Sequence, residues 1–114
     1  MEFIQTLKWI AVIITLGYGL YAMVKPGGIE RFTGLQPSSP RGITEIRAVM
    51  GGMFVGLGIA AVVLNTPQTF KMIGICYAVI AVIRTISMVL DKSVTRSNTI
   101  SLIAETALAI TLVL

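Results

Sequence analysis

The stretch ITEIRAVMGGMFVGLGIAAVVL, residues 43–64, decides the fold. Beyond Arg47 it reaches Leu64 without a charge, close to the roughly 20 apolar residues that cross a hydrocarbon core about 30 Å thick. It opens on Glu45 and Arg47, and ionisable groups inside such a segment are costly enough to need a reason. It also carries Gly51, Gly52, Gly56 and Gly58, a supply of small residues that lets another helix approach closely, with Gly52 and Gly56 forming a small-xxx-small pair. On a wheel of 3.6 residues per turn Glu45 projects above Gly52 and Gly56, and Arg47 above Gly51 and Gly58.

The rest of the chain repeats the pattern. Of 114 residues 55% are hydrophobic and 12% charged, with a mean hydropathy of +0.89, far too apolar for a soluble domain of this size. Apolar stretches over about 3–24, 43–64, 70–90 and 98–114 predict a single all-α domain, an integral membrane four-helix bundle with short loops. Lys8 and Trp9 stand at the entrance of the first span, where a long cation can snorkel and an indole prefers the headgroup zone. Lys8 before an apolar run resembles a secretory signal, but no small-residue cleavage pattern follows, and Lys25-Pro26-Gly27-Gly28 reads as the end of a retained span. The long connection, 25–42, has room for a short interfacial helix over Ile29 to Leu35. The second span is expected to be capped by Gly42 or Thr44, and Asn65-Thr66-Pro67 to stop it.

Composition removes several function classes. The single Cys76 rules out an internal disulfide and reads as a small buried hydrophobe, and without histidine the usual haem ligand and neutral-pH proton shuttle are missing. No cofactor, no metal and no catalytic residue is expected. The net charge of +4 and pI of about 9.7 come from Lys and Arg beside the spans, so nucleic acid is not the expected partner. Lys25, Arg31, Arg41, Lys92 and Arg96 fall on one side of alternating crossings, which predicts cytoplasmic long loops and both termini outside.

The same alternation brings the start of the second span, the late third span and the early fourth to one end of the bundle. Arg84 lies about 10 Å inside from Asp91, and Glu105 about 10 Å inside from Asn98. Arg84, Ser87 and Asp91 share one side of the third helix; Asn98, Ser101 and Glu105 share one side of the fourth. A structural reading pairs Arg84 with Glu105, and Arg47 with Glu45 or a carbonyl. A functional reading makes Glu45, Arg47, Arg84, Ser87, Asn98, Ser101 and Glu105 a pocket for an anionic headgroup, with the arginines as forks. A proton-coupled carrier is disfavoured, because an adjacent arginine holds a carboxylate ionised.

The run from Glu45 to Gly58, with Glu45, Arg47, Ala48, Gly51 and Gly52 as its most specific part, joins an Arg late in the third span, an Asp91-Lys92 turn and a Glu in the fourth. It resembles a family of small bacterial four-transmembrane-helix proteins classified as a domain of unknown function. The resemblance covers nearly the whole chain; Met50 stands where the family commonly has a tyrosine. It implies the architecture and a bacterial inner membrane, and no activity. The length is also similar to small multidrug transporters, but their first-span glutamate is missing here. The expectation is a non-enzymatic membrane protein, a structural or accessory subunit partnered by lipid and by other subunits or copies of itself. An anionic-lipid or amphiphile binder and a small oligomeric carrier are the alternatives.

Overall fold

The computed structural model describes residues 2–114, and among them the only regular structure is helical. Helix α1 spans Glu2–Val24; a 3-10 turn, Pro26–Ile29, leads into the short α2, Glu30–Thr33. Helix α3, Pro40–Glu45, continues through a π-helical segment, Ile46–Gly51, into α4, Gly52–Leu64. Helices α5, Pro67–Leu90, and α6, Arg96–Val113, complete the chain. Three helical stretches, Glu2–Val24, Pro40–Leu64 and Pro67–Leu90, are long and apolar enough to cross a membrane. The 18 residues of α6 open on Arg96-Ser97-Asn98-Thr99 and are not among the three.

Three of the helices begin earlier than hydropathy suggests, because polar caps set their starts. Ser39 accepts from the Gly42 N–H, Thr66 from Thr69 and Thr95 from Asn98, so the second helix starts at Pro40 and not at a Gly42 or Thr44 cap. Pro40 and Pro67 follow their caps directly, where a missing N–H costs nothing and a fixed φ suits the helix. Asn65-Thr66-Pro67 is therefore a stop and a start together: Asn65 ends α4 in the left-handed region at φ 45°, donating to the Ala61 carbonyl, and Thr66 caps α5. In the long connection the helix over Ile29 to Leu35 shrinks to Glu30–Thr33, closed by Gly34 at φ 72°.

The chain packs as two compact units. In the unit Trp9–Asn65, α1 and the π–α4 helix meet backbone to backbone. A Cβ on Gly19 would stand 2.7 Å from the Val55 nitrogen and 2.8 Å from the Gly51 oxygen; one on Gly51 would strike Met23, and one on Gly58 would strike Leu16. Gly51 and Gly58 thus build the close approach. Gly52 and Gly56 do not: a Cβ on Gly56 meets nothing within 4 Å, and both residues are exposed. Nearby, Ala22, Ile29 and Ile46 form a small core with Tyr21 and Met50 against it, while Tyr18 sets edge-on against Phe54 and Tyr21 against Phe32.

The other unit comprises the chain up to Lys8 together with Thr66–Leu114. Here α5 and α6 run antiparallel, with Gly74 set against Ala109, Leu112 and Val113. Phe70, Ile73, Tyr77, Ala81 and Met88 are buried along α5, and Ala109 and Leu112 along α6. Across the chain many large apolar side chains face outward, among them Val63, Ile75, Val82, Val89 and Ile103, each more than half exposed. Such a surface suits lipid as the solvent and would be a liability in water. Cys76 lies on that exterior and is not the buried hydrophobe its sequence context suggests.

Gly19→Ala is expected to lower stability in detergent by about 1–3 kcal/mol, since the intruding methyl meets backbone that cannot rotate away. Gly56→Ala should be neutral or stabilising by up to about 1 kcal/mol, because it adds helix propensity in open space. Thermal unfolding of the two variants against the parent checks the pair.

Candidate functional site

The core stripe of α5 runs through Phe70, Ile73, Tyr77, Ala81 and Met88, and Arg84 occupies the same face one turn from Ala81. On α6 the face that buries Leu112 and Ala109 continues to Glu105, Ser101 and Asn98. Helical spacing therefore aims a guanidinium and a carboxylate at each other across the helix pair. Arg84 Nε donates to Glu105 Oε1 at 2.7 Å and Nη2 to Oε2 at 2.6 Å, a two-pronged contact whose geometry makes it one of the stronger ion pairs available to a protein. The side chains are 28% and 13% exposed, so little solvent screens them.

The third nitrogen is also engaged. Arg84 Nη1 donates to Asn98 Oδ1 at 2.8 Å, and Asn98 Nδ2 donates onward to the Ser93 carbonyl at 2.9 Å. Asn98 also donates its backbone N–H to the Thr95 cap. One chain of hydrogen bonds thus runs from Glu105 through Arg84 and Asn98 into the turn that joins α5 to α6, where Lys92 adopts φ 50° and Ser93 N–H reaches the Met88 carbonyl. Ser87 donates to Asp91 at the end of α5. Ser101 is half-buried on the face of α6 that carries Glu105.

Glu45 and Arg47 have separate surroundings, where the structural reading of the sequence pairs Arg47 with Glu45 or a carbonyl. Glu45 Oε1 accepts from Arg41, at 3.2 Å from Nε and 3.0 Å from Nη2, one turn earlier on the same helix; both side chains are more than half exposed. Arg47 is exposed on the π segment and is not in that pair. Two residues apart, Glu45 and Arg47 project about 200° from each other on a 3.6-residue helix, whereas Arg41 stands one regular turn before Glu45 within α3, ahead of the π segment. The π segment is the feature that sequence reading missed, and only the glycine pair at its end hinted at unusual geometry.

Beside the ion pair, α5 and α6 leave an open groove of about 330 Å³ lined by Ala78, Ala81, Thr85, Leu102, Thr106 and Ala109 among others. Thr85 spends its hydroxyl proton on the Ala81 carbonyl of its own helix. The groove wall is otherwise mainly hydrocarbon, suited to an acyl chain or an apolar side chain rather than a polar substrate. Among the described residues no three of His, Cys, Asp and Glu come close enough to share a metal ion.

Arg84→Leu alone should cost about 3–5 kcal/mol, because it strands the Glu105 carboxylate in a half-buried site. Arg84→Leu with Glu105→Leu should recover most of that loss, and unfolding of both variants in the same detergent measures the coupling. Arg41→Ala, which opens only an exposed pair, should change stability by less than about 0.5 kcal/mol.

Comparison with curated proteins and with solved structures finds no match. Against family models, residues 3–114 match the domain of unknown function DUF4345. Glu45, Arg47, the glycines of α4, the Arg84–Glu105 clamp and the Asp91-Lys92 turn all lie inside that match, and the chain belongs to the DUF4345 family.

Proposed function

We propose that this protein is a non-enzymatic integral membrane protein of four spans, acting as a structural or accessory subunit of a larger membrane assembly. One observation carries the reading: each nitrogen of the Arg84 guanidinium is engaged by Glu105 or Asn98 of its own helix pair. A fork meant for a headgroup or a carried anion would be left open, whereas this one is spent on joining α5, α6 and their turn. Helix α6 acts as the fourth span; its 18 residues reach about 27 Å, nearly the depth of a hydrocarbon core, and its one acid is neutralised by Arg84. The outward-facing apolar side chains offer surface to lipid and to neighbouring helices.

In this reading the protein sits in a bacterial inner membrane, with the 25–39 and 91–95 connections in the cytoplasm beside Lys25, Arg31, Arg41, Lys92 and Arg96, and with both termini outside. Reporters fused to each terminus are expected to score as non-cytoplasmic; cytoplasmic termini overturn this orientation. Gentle solubilisation followed by mass measurement should yield a stoichiometric membrane-protein partner. Transport by the protein alone in liposomes would instead make it a carrier.

A further inference from the structure

Among the described residues Lys8 is the most deeply buried charge in its unit, and no carboxylate lies within ion-pair distance of it. The residue is 8% exposed, and its Nζ stands 5.9 Å from the centre of the Phe70 ring. It makes no hydrogen bond or ion pair among the described residues. No fully enclosed side-chain nitrogen or oxygen among them lacks a hydrogen bond. The ammonium, which makes none, therefore keeps an opening to the exterior.

Its surroundings add positive potential. Phe70 closes the first turn of α5, so Lys8 stands at the N-terminal end of a 24-residue helix, the positive pole of its dipole. Thr66 takes the N–H groups of Thr69 and Phe70, and Pro67 has none, which leaves the Gln68 amide as the first-turn donor outside the cap. Lys71 follows Phe70 and is exposed. The acidic side chains of this unit are committed elsewhere or out of register: Asp91 accepts from Ser87, Glu105 holds Arg84, and Glu2 lies six residues before Lys8 on α1, off its face.

An ammonium withdrawn from water beside a helix N-terminus is unfavourable, and the aromatic face compensates only in part. An anion with several acceptor oxygens would complete the arrangement. Phe3, Met72 and Ile75 expose large apolar side chains on the same two helices, a setting for acyl chains below such a group. We propose that Lys8, Lys71 and the Gln68 amide hold the phosphate of an anionic lipid at the start of α5. The site is separate from the Arg84–Glu105 clamp and stands independently of the accessory-subunit reading.

The test uses the full chain in a neutral maltoside detergent, with melting temperature and binding followed as phosphatidylglycerol, diacylglycerol or inorganic phosphate is added. Phosphatidylglycerol is expected to raise the melting temperature of the parent and diacylglycerol to leave it unchanged. Lys8→Met should lose the shift and bind phosphatidylglycerol about tenfold more weakly, as expected for a lost charge-assisted contact, while Lys8→Arg keeps it. An equal shift with inorganic phosphate retains the site and assigns it to free phosphate. A shift that persists in Lys8→Met, or equal effects of phosphatidylglycerol and diacylglycerol, overturns the proposal. Should Lys8→Met not fold, the exposed Lys71→Gln decides: severalfold weaker binding supports the site, and unchanged binding overturns it.

Discussion

The two-pronged contact between Arg84 and Glu105 is the constraint around which the α5–α6 pair is organised. Packing of Gly74 against Ala109, Leu112 and Val113 favours one register, and the ion pair adds a directional constraint to it. A planar fork facing a carboxylate at 2.6–2.7 Å permits one rotation and one register. Asn98 extends that constraint to the Ser93 carbonyl, so the shape of the connecting turn is tied to the position of a side chain two turns inside α5. The buried stripes of the two helices and the groove beside them lie in the same register as that contact.

The Trp9–Asn65 unit reaches specificity by a different route. There the closeness of Gly19, Gly51 and Val55 leaves no space for a side chain, so fit depends on the absence of atoms rather than on charge. The only ion pair described within it, Arg41 with Glu45, is solvent-facing and contributes little. One unit is thus fixed by electrostatics in a half-buried setting and the other by backbone contact.

How much of this was legible in sequence depended on whether a feature arises from uniform helical spacing. The facing stripes of Arg84 and of Asn98, Ser101 and Glu105 are read from spacings of three and four residues, and they meet as those spacings imply. Glu45 pairs with Arg41, one regular turn earlier in α3, and pairing it with Arg47 ignores that residues two apart on a helix point away from each other. Of the four glycines whose small size suggests packing, Gly51 and Gly58 face α1, and the four-residue spacing of Gly52 and Gly56 does not tell which face of the helix meets α1. Hydropathy places the helix starts too late because it marks the first apolar residue, while Ser39, Thr66 and Thr95 cap first turns that are polar or open on proline. The burial of Lys8 beneath Phe70 joins segments some sixty residues apart and has no local signal.

The ion pair also has a direction in time. Arg84 and Glu105 are separated by 21 residues, and a ribosome adding about 5–20 residues per second delivers the arginine one to several seconds before its partner exists. During that interval an α5 entering a bilayer alone would carry an uncompensated cation some 10 Å from its end. Under the four-span reading proposed above, the α5–α6 hairpin is the insertion unit, and the turn that Asn98 ties to Arg84 is the part of the chain that closes when Glu105 arrives.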